Sequence, residues 1–462
     1  MRWIIRGLPA AALALGVVVP ASALGAAAAT ELVKNGTFDT STTNWWSLAN
    51  TPISVDAGQL KAVVPGGTAE RWDAMLGQNV PAFPIHQGHR YVLSFDARAT
   101  ATRQLRTTVQ HNTAPYPSTL DRLFTVGTTK QRFALGFTGS LETAQAELTF
   151  QLGDHPTGYS VWFDNVSLVD TYGTVAGSPI SLTNGFYVDP KSNPKIWVDN
   201  NPGTKATAIN AAIATKPMAR WFGNWNTNIA DAVQQFVGPA DAADKVPTLV
   251  AYNIPGRDAC GGHSGGGAGT EAAYKDWVQT FAAAIGSRPA LVILEPDSLG
   301  DFQCMTPEKQ DERVRMLQFA LQQFKDFAPN TWVYLDAGNK GWGTASDMAQ
   351  RLTRVGVGNA HGFSLNVSNY YTTAETIPFA DAINDGLAAD KPFVIDTSRN
   401  GAGAGTTWCN PPGRKLGVTA RVGGGAELLL WVKVPGNSDG VCNESSLPAG
   451  QFDPDLAIKL IP

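Results

Sequence analysis

Beyond residue 29 the sequence has no apolar run long enough to span a bilayer, no cluster of lysine and arginine, and no close pair of cysteines. The first absence removes a membrane-embedded body. The second, with a net charge of -4, argues against nucleic acid as a partner. The third leaves zinc without the C-x-x-C spacing it commonly uses. There is also no H-E-x-x-H for a zinc peptidase and no G-x-G-x-x-G after a first strand for a dinucleotide fold. Ser298 has no histidine at a useful spacing, so a serine esterase has little support.

What precedes that boundary reads as a leader. Arg2 and Arg6 come before the apolar run Leu8 to Val19 and then Ala26 to Ala29, which is the pattern of a secretory signal peptide over residues 1–29. The expectation is a secreted, extracellular protein with no membrane partner. The 4 cysteines fit that compartment as two disulfides. They allow three pairings, and sequence order favours Cys260 with Cys304 and Cys409 with Cys442.

The texture changes near Asp170. Residues 30–170 show short alternating stretches, among them Arg90 to Arg98, Leu105 to Gln110, Gln145 to Leu152 and Tyr159 to Val169, separated by glycine, proline and threonine. This predicts an all-β sandwich. Residues 171–184 form a short junction without a floppy Gly/Ser or Pro/Thr tract. Residues 185–462 alternate apolar strands with helical patterns. Candidate strands are Lys195 to Val198, Ala219 to Phe222, Pro247 to Tyr252, Ala290 to Leu294, Thr331 to Leu335, Ala360 to Ser364, Phe393 to Asp396 and Leu428 to Val432. Helical spacing is clear in Thr270 to Ile285 and Pro307 to Phe327. The alternation implies an α/β fold with a parallel sheet and right-handed crossovers, and this many strands imply closure, complete or nearly so, into a (β/α) barrel. A doubly wound open sheet is the rival.

Four of these strands end in a short loop carrying an aspartate: Asp258, Asp297, Asp336 and Asp439. Barrels keep their chemistry at that rim, and paired carboxylates cut glycosidic bonds. Asp297, just past Val292-Ile293-Leu294-Glu295-Pro296, is the candidate general acid. Glu295 alternates away from it and suits a supporting hydrogen-bonding role. Asp258 is placed to raise the pKa of Asp297 or to orient water. Asp439 is a base or sugar ligand, with Lys433 as a partner that keeps it ionised. Trp221, Trp342 and Trp408 flank loop positions and suit sugar platforms, while Trp431 alternates within a strand. Asn366, Asn369, Asp396, Arg399 and Asn400 supply polar groups on the same rim.

The order YNIPGRD, LEPD, YLDAG, AHGFSLNVSNY, VIDTSRNG, WC-x-P-x-GR and WVKVPG-x-SDG, from about Gly185 to the C-terminus, resembles glycoside hydrolase family 6 cellulases. The resemblance implies a distorted barrel of about seven parallel strands and hydrolysis of β-1,4-glucan with inversion. By it Asp297 is the general acid, Asp258 its companion in the water network, Tyr252 the residue that distorts the sugar, Asp439 the aspartate proposed as base, and Lys433 a substrate-binding lysine. Ser264 corresponds to a mobile-loop serine, and the same disulfide pairing is implied. Asn437 stands where many relatives carry glutamate, and Asn339 where many carry histidine. No cofactor is expected for catalysis. The partner is cellulose or a related β-glucan, and a monomer is expected.

The motifs NGTFD, W-x-x-x-L-x-Q, RYVLSFDAR and WFDNVSL resemble carbohydrate-binding modules of the family 4 and 9 type, which implies a jelly roll with a sugar groove and a structural calcium. Trp46, Trp72, Gln110 and Tyr116 are groove candidates and Asp164 is the metal candidate. Short connections between Cys409 and Cys442, and from Cys304 to Pro307, leave no room for a long roof over the cleft. Internal cleavage is therefore expected. A chain-end cellobiohydrolase is the alternative, and a non-catalytic polysaccharide-binding protein a more distant one. Xylan and mixed-linkage glucan stay open as further substrates.

Overall fold

The computed structural model describes residues 29–172, 176–261 and 264–462. The leader read over residues 1–29 lies, but for Ala29, outside them.

The strands of the first part are β1 Thr30–Glu31, β2 Trp46–Ser47, β3 Ile53–Asp56, β4 Gln59–Val64, β5 Met75–Ile85, β6 Arg90–Ala99, β7 Arg103–His111, β8 Ser118–Val126, β9 Gln131–Thr138, β10 Thr143–Gln151 and β11 Tyr159–Asp170. They pair as two antiparallel sheets, β3-β4-β11-β6-β9 with β1 beside β11, and β2-β5-β10-β7-β8. Alternation dictates this layering. On β10, Ala146, Leu148 and Phe150 point into an apolar core with Leu76, Phe95 and Phe163, while Glu147, Thr149 and Gln151 face the other way.

The second part contains β12 Arg220–Phe222, β13 Thr248–Ala251, β14 Ala290–Leu294, β15 Thr331–Asp336, β16 Gly362–Leu365, β17 Phe393–Asp396, β18 Arg421–Val422 and β19 Leu428–Leu430. Strands β12 to β17 and then β19 run parallel in that order, and β18 adds antiparallel to β19. The first and last parallel strands are drawn together where Ala219 N–H donates to Trp431 O at 2.8 Å and Trp221 Nε1 donates to Val432 O at 2.8 Å. The result is a curled, incompletely paired barrel. Its strands are apolar on both faces, and β14 (ALVIL) is buried throughout, as a sheet covered on both sides requires. Val250, Leu291, Ile293, Tyr334, Val394 and Leu430 fill the interior.

Helices α1 Asn193–Asn200, α2 Thr204–Ile209, α3 Ile229–Ala242, α4 Glu271–Ile285, α5 Pro307–Phe327, α6 Ala345–Val355, α7 Thr373–Asn384 and α8 Pro454–Leu460 accompany the sheet. In α5 the Thr306 hydroxyl accepts from Lys309 N–H and Pro307 opens the first turn, a strong start signal. The stretch Lys195 to Val198, expected as a strand, is instead part of α1. Pro194 in its first turn presets helical geometry, and a run of three apolar residues cannot by itself distinguish the two states.

The two parts touch. Val92 and Ala134 of the sandwich join the apolar cluster of Ala283, Ala284 and Ile285 on α4. Gly136 packs so closely on Phe327 that a Cβ there would come within 2.9 Å of the ring. Arg90 Nε lies 2.6 Å from Asp326 Oδ1, and Asn228 Nδ2 donates to Arg132 O at 2.9 Å. Among the described residues no helix is long and apolar enough to cross a membrane.

Candidate active site

The carboxylates gather at the C-terminal ends of the parallel strands. Asp297 follows β14, and its backbone N–H donates to Asp336 Oδ2 at 2.9 Å. Tyr252, just past β13, donates its hydroxyl to Asp297 Oδ2 at 3.2 Å and stands 3.0 Å from Ser264 Oγ. Ser264 in turn donates to Asp258 Oδ2 through its backbone N–H at 2.6 Å and its hydroxyl at 3.1 Å. Asp297, Tyr252, Ser264 and Asp258 thus form one continuous polar chain.

Burial pushes the Asp297 carboxyl up to about 8, and the charges of Asp336, Asp301 and Asp258 push the same way. It therefore holds its proton at neutral pH, as a general acid must. Burial also raises Asp336 to about 6, against the N–H donors of Asp297 and Gly338. Glu295 is raised by burial to about 7, opposed by N–H groups of Ile254 and Asn253. It buttresses the Tyr252 loop from beneath, the supporting role expected of it. Tyr252 stays a phenol, since burial and then the Asp297 charge raise its pKa.

Asp439 is a different kind of carboxylate. It is 7% exposed. Burial alone would raise its pKa, but Arg399 Nη1 at 2.8 Å and Lys433 Nζ at 2.9 Å hold it well below the usual range. Tyr370 hydroxyl and Asn410 N–H donate to it as well, at 2.9 and 3.1 Å. A carboxylate with two cations and two further donors is a poor proton acceptor. Lys433 is accordingly committed to Asp439.

The disulfides are Cys260–Cys304 and Cys409–Cys442. The first ties the Asp258 loop to the segment after Asp297. Beneath it Arg313 of α5 donates to Pro255 O, Gly256 O and Ser298 O and pairs with Asp301 at 2.9 Å.

Three tryptophans expected as platforms sit on this rim. Trp221 stands edge-on to Tyr252 with ring centroids 5.2 Å apart. Trp342 lies over Gly300 and Gly338, where a Cβ would come within 2.4 and 2.5 Å of its ring. Trp408 is 48% exposed. Trp431 is buried.

Several polar candidates turn inward. Asn366 is 0% exposed. Its amide donates to Tyr371 O and Asp396 O and accepts from Tyr371 N–H, so it locks the rim and is no sugar ligand. Asp396 accepts four backbone N–H groups, from Ser368, Ser398, Val432 and Lys433. Asn400 bonds to Tyr371 O and Thr373 Oγ1, and Asn369 to Val367 O. Asn437 is largely buried, with Asn193 Nδ2 at 3.4 Å. The physical reason is shared. Where strands end, backbone N–H and C=O groups lose their ladder partners, and side chains supply the missing acceptors and donors.

Sequence reasoning missed Arg313, Trp225, Tyr370 and the contacts of Arg399 and Asn410 with Asp439, of whose partners it foresaw Lys433. It placed Asp336 on the rim but gave it no task. Tyr370 sits inside AHGFSLNVSNY, and its spacing carries no signal.

In the sandwich, Gln110 on β7 donates to Glu147 Oε1 at 2.9 Å and accepts from Thr108 Oγ1 at 2.8 Å. These groups lie on the sheet face away from the core. Trp46 lies over Gly77 on that sheet, within 2.7 Å of where a Cβ would be. Trp72 and Tyr116 are 50% and 52% exposed. Asp164, the metal candidate, has a cation beside it. Lys130 Nζ lies 3.6 Å from it and 3.5 Å from Asp96, with Arg132 also on Asp96, and calcium seeks six to eight oxygens rather than an ammonium. Among the described residues no group of three or more His, Cys, Asp or Glu could hold a metal.

Comparison with known proteins agrees with this arrangement. The sequence model of glycosyl hydrolases family 6 matches residues 183–456, and that of a carbohydrate binding domain matches residues 30–158. Endoglucanase 1 of Streptomyces halstedii is 57% identical over 292 residues, covering 62% of this chain and 91% of that protein. Endoglucanase A of Cellulomonas fimi is 44% identical, covering 60% of this chain and 61% of that one. The solved structure of the endoglucanase Cel6 from Mycobacterium tuberculosis, in complex with methyl-cellobiosyl-4-deoxy-4-thio-β-D-cellobioside, is 39% identical. It superposes with a TM-score of 0.57 over 62% of this chain and 98% of that one.

Proposed function

The chain belongs to glycosyl hydrolases family 6 through residues 183–456, and from that premise we propose that it is a secreted endo-β-1,4-glucanase acting on cellulose with inversion. One observation carries the reading. The rim carboxyl of Asp297, pushed up to about 8 by burial, is joined through Tyr252 and Ser264 to Asp258.

Asp297 gives its proton to the glycosidic oxygen as the bond to the anomeric carbon breaks. A water molecule attacks that carbon from the opposite face, so a β-linked chain yields an α-anomer. The attacking water must lose a proton, and the Ser264–Asp258 pair is the acceptor side of the polar chain. Asp439 is held ionised by Arg399 and Lys433 and its charge is taken up by them, so it anchors the rim rather than serving as the base. Trp221, Trp342 and Trp408 offer flat faces to glucosyl rings. The sandwich presents its Gln110–Glu147 face with Trp46, Trp72 and Tyr116 to the polymer and keeps a released chain near the cleft.

Endo attack rests on the short connections around the two disulfides and on the names of the relatives. Secretion rests on the disulfides, which need an oxidising compartment, and on the leader. A monomer without nucleic-acid partners fits the charge balance. A structural calcium in the sandwich belongs to this proposal only as a site that does not use Asp164.

The test is the viscosity of carboxymethylcellulose against reducing ends released, with proton NMR of the first product. Internal cutting drops viscosity steeply for few new ends, and the first anomer is α. A slow proportional fall with cellobiose as nearly the sole early product overturns endo attack. A β-anomer overturns inversion.

A further inference from the structure

Past β12 the chain reads Gly223-Asn224-Trp225-Asn226, and Trp225 is 51% exposed. Half of this large aromatic is thus open to a ligand beside a catalytic loop. Its ring is nonetheless held in place. Gly223 lies beneath it, where a Cβ would come within 2.4 Å of the ring and 2.7 Å of Tyr252 O, so only glycine permits this packing. Gly223 N–H donates to Asn226 Oδ1 at 3.0 Å, closing the turn.

Arg257 fixes the turn to the catalytic chain. Its guanidinium carbon lies 5.5 Å from the Trp225 ring and 4.6 Å from the Tyr252 ring. Its Nη1 donates to Asn224 Oδ1 and to Tyr252 O, both at 3.2 Å, and its Nε donates to Ser264 O at 2.8 Å. One buried cation therefore joins the Trp225 turn, the phenol on Asp297 and the serine on Asp258. Through Arg257 and Gly223, Trp225 sits beside Tyr252, whose ring meets that of Trp221 edge-on. An indole held this way, with part of its surface wet, suits the apolar face of a pyranose ring.

We infer that Trp225 is an outer glucosyl platform of the cleft, stacking a sugar of a bound β-1,4-glucan beyond those gripped at the site of cleavage. This deepens the reading above and rests on it. A platform remote from the reacting bond adds binding that only a long enough chain can collect, so its effect falls on KM and grows with chain length.

The experiment compares wild type with Trp225→Ala and Trp225→Tyr on cello-oligosaccharides of increasing length, with kcat and KM measured separately. For Trp225→Ala the ratio of its KM to that of the wild type should rise with chain length to about 10-fold, while the kcat ratio stays flat. Trp225→Tyr should recover most of the loss, since an aromatic face is what is needed. A KM ratio that does not change with length overturns the inference. So does a kcat that falls equally on all lengths, which would make Trp225 only a cover for Arg257. A wild type that cleaves no β-1,4-glucan at all would instead overturn the parent reading, and this outcome is separate from the other two.

Discussion

Replacing Asp297 by asparagine should produce two opposite effects, and the structure sets the size of both. Turnover on cellulose should fall by about 10²- to 10⁴-fold, the usual worth of a positioned general acid. Stability at neutral pH should rise. In the unfolded chain this carboxyl ionises near its ordinary pKa of 3.8, while in the folded protein burial and then Asp336 hold the proton until about pH 8. Between those values the unfolded chain has released a proton that the folded chain retains, so stability falls as pH rises. Holding a proton one pH unit beyond its ordinary pKa costs about 1.36 kcal/mol. From 3.8 to pH 7 is about three pH units, which sets a ceiling of about 4 kcal/mol on the wild-type cost.

Asparagine has no such proton and is free of that cost. It can still accept from the Tyr252 hydroxyl, and its backbone N–H can still donate to Asp336. Melting curves of wild type and D297N at pH 4 and pH 7 test the argument. The variant should melt higher at pH 7, and the difference should shrink towards pH 4, close to the 3.8 at which the unfolded chain regains the proton. A difference independent of pH, or a wild type more stable at pH 7, would refute a raised Asp297 pKa. Retained turnover in D297N would refute its role as acid.

Other expectations follow from neighbouring contacts. Asp336→Asn removes the second cause that raises Asp297, so the alkaline limb of kcat/KM should move from near pH 8 towards lower pH. An unmoved limb would show that Asp336 has no electrostatic role. Removing the Cys260–Cys304 bridge, which spans 44 residues, should lower stability by at most about 4 kcal/mol from loop-closure entropy. It should also slow turnover by freeing the Asp258 loop, and an unchanged melting temperature with unchanged kcat would count against both. Chelator and then calcium should act alike on wild type and Asp164→Asn, because Lys130 already meets that carboxylate. A calcium-dependent melting shift lost only in the variant would restore Asp164 as a ligand.

How much of this was legible in the sequence depended on what kind of signal a residue carries. Helix α5 could be read to its ends because Thr306 and Pro307 mark its start and a buried stripe from Val314 to Phe327 gives its period. The strand ends could be read because β13 and β14 are continuous apolar runs. Lys195 to Val198 failed because a lysine followed by three apolar residues has no period. The aspartates were legible as a rim, and Asp297 as the acid, because topology fixes where strand ends lie. Their separate tasks were not. Whether a polar residue faces sugar or satisfies a stranded N–H depends on loop geometry, and Asn366 and Asp396 are on the inward side of that choice. Trp225 was invisible for the converse reason. One tryptophan in a turn has neither period nor partner until Gly223 and Arg257 are seen beside it.

The inward-facing residues also explain how the rim keeps its shape. Asp258, Glu295, Asp297, Asn366 and Ser368 all have positive φ, between 50° and 72°. That left-handed region is disfavoured for residues with a side chain, at a cost of order 1 kcal/mol or more each. Each takes part in hydrogen bonds that hold its loop, Asp258 through Ser264. The Glu295 carboxylate takes the N–H groups of Asn253 and Ile254, and Asp297 N–H goes to Asp336. Asn366 holds Tyr371, and Ser368 N–H goes to Asp396. The polar groups that sequence alone would assign to sugar are thus largely consumed in fixing a strained backbone. Strain of this kind turns the strand-end carboxylates towards one cleft instead of letting the chain continue its pleat. Recognition of the polymer then falls to flat aromatic faces and to the few groups the network leaves open. Those faces tolerate a chain sliding to any register, as internal cleavage requires.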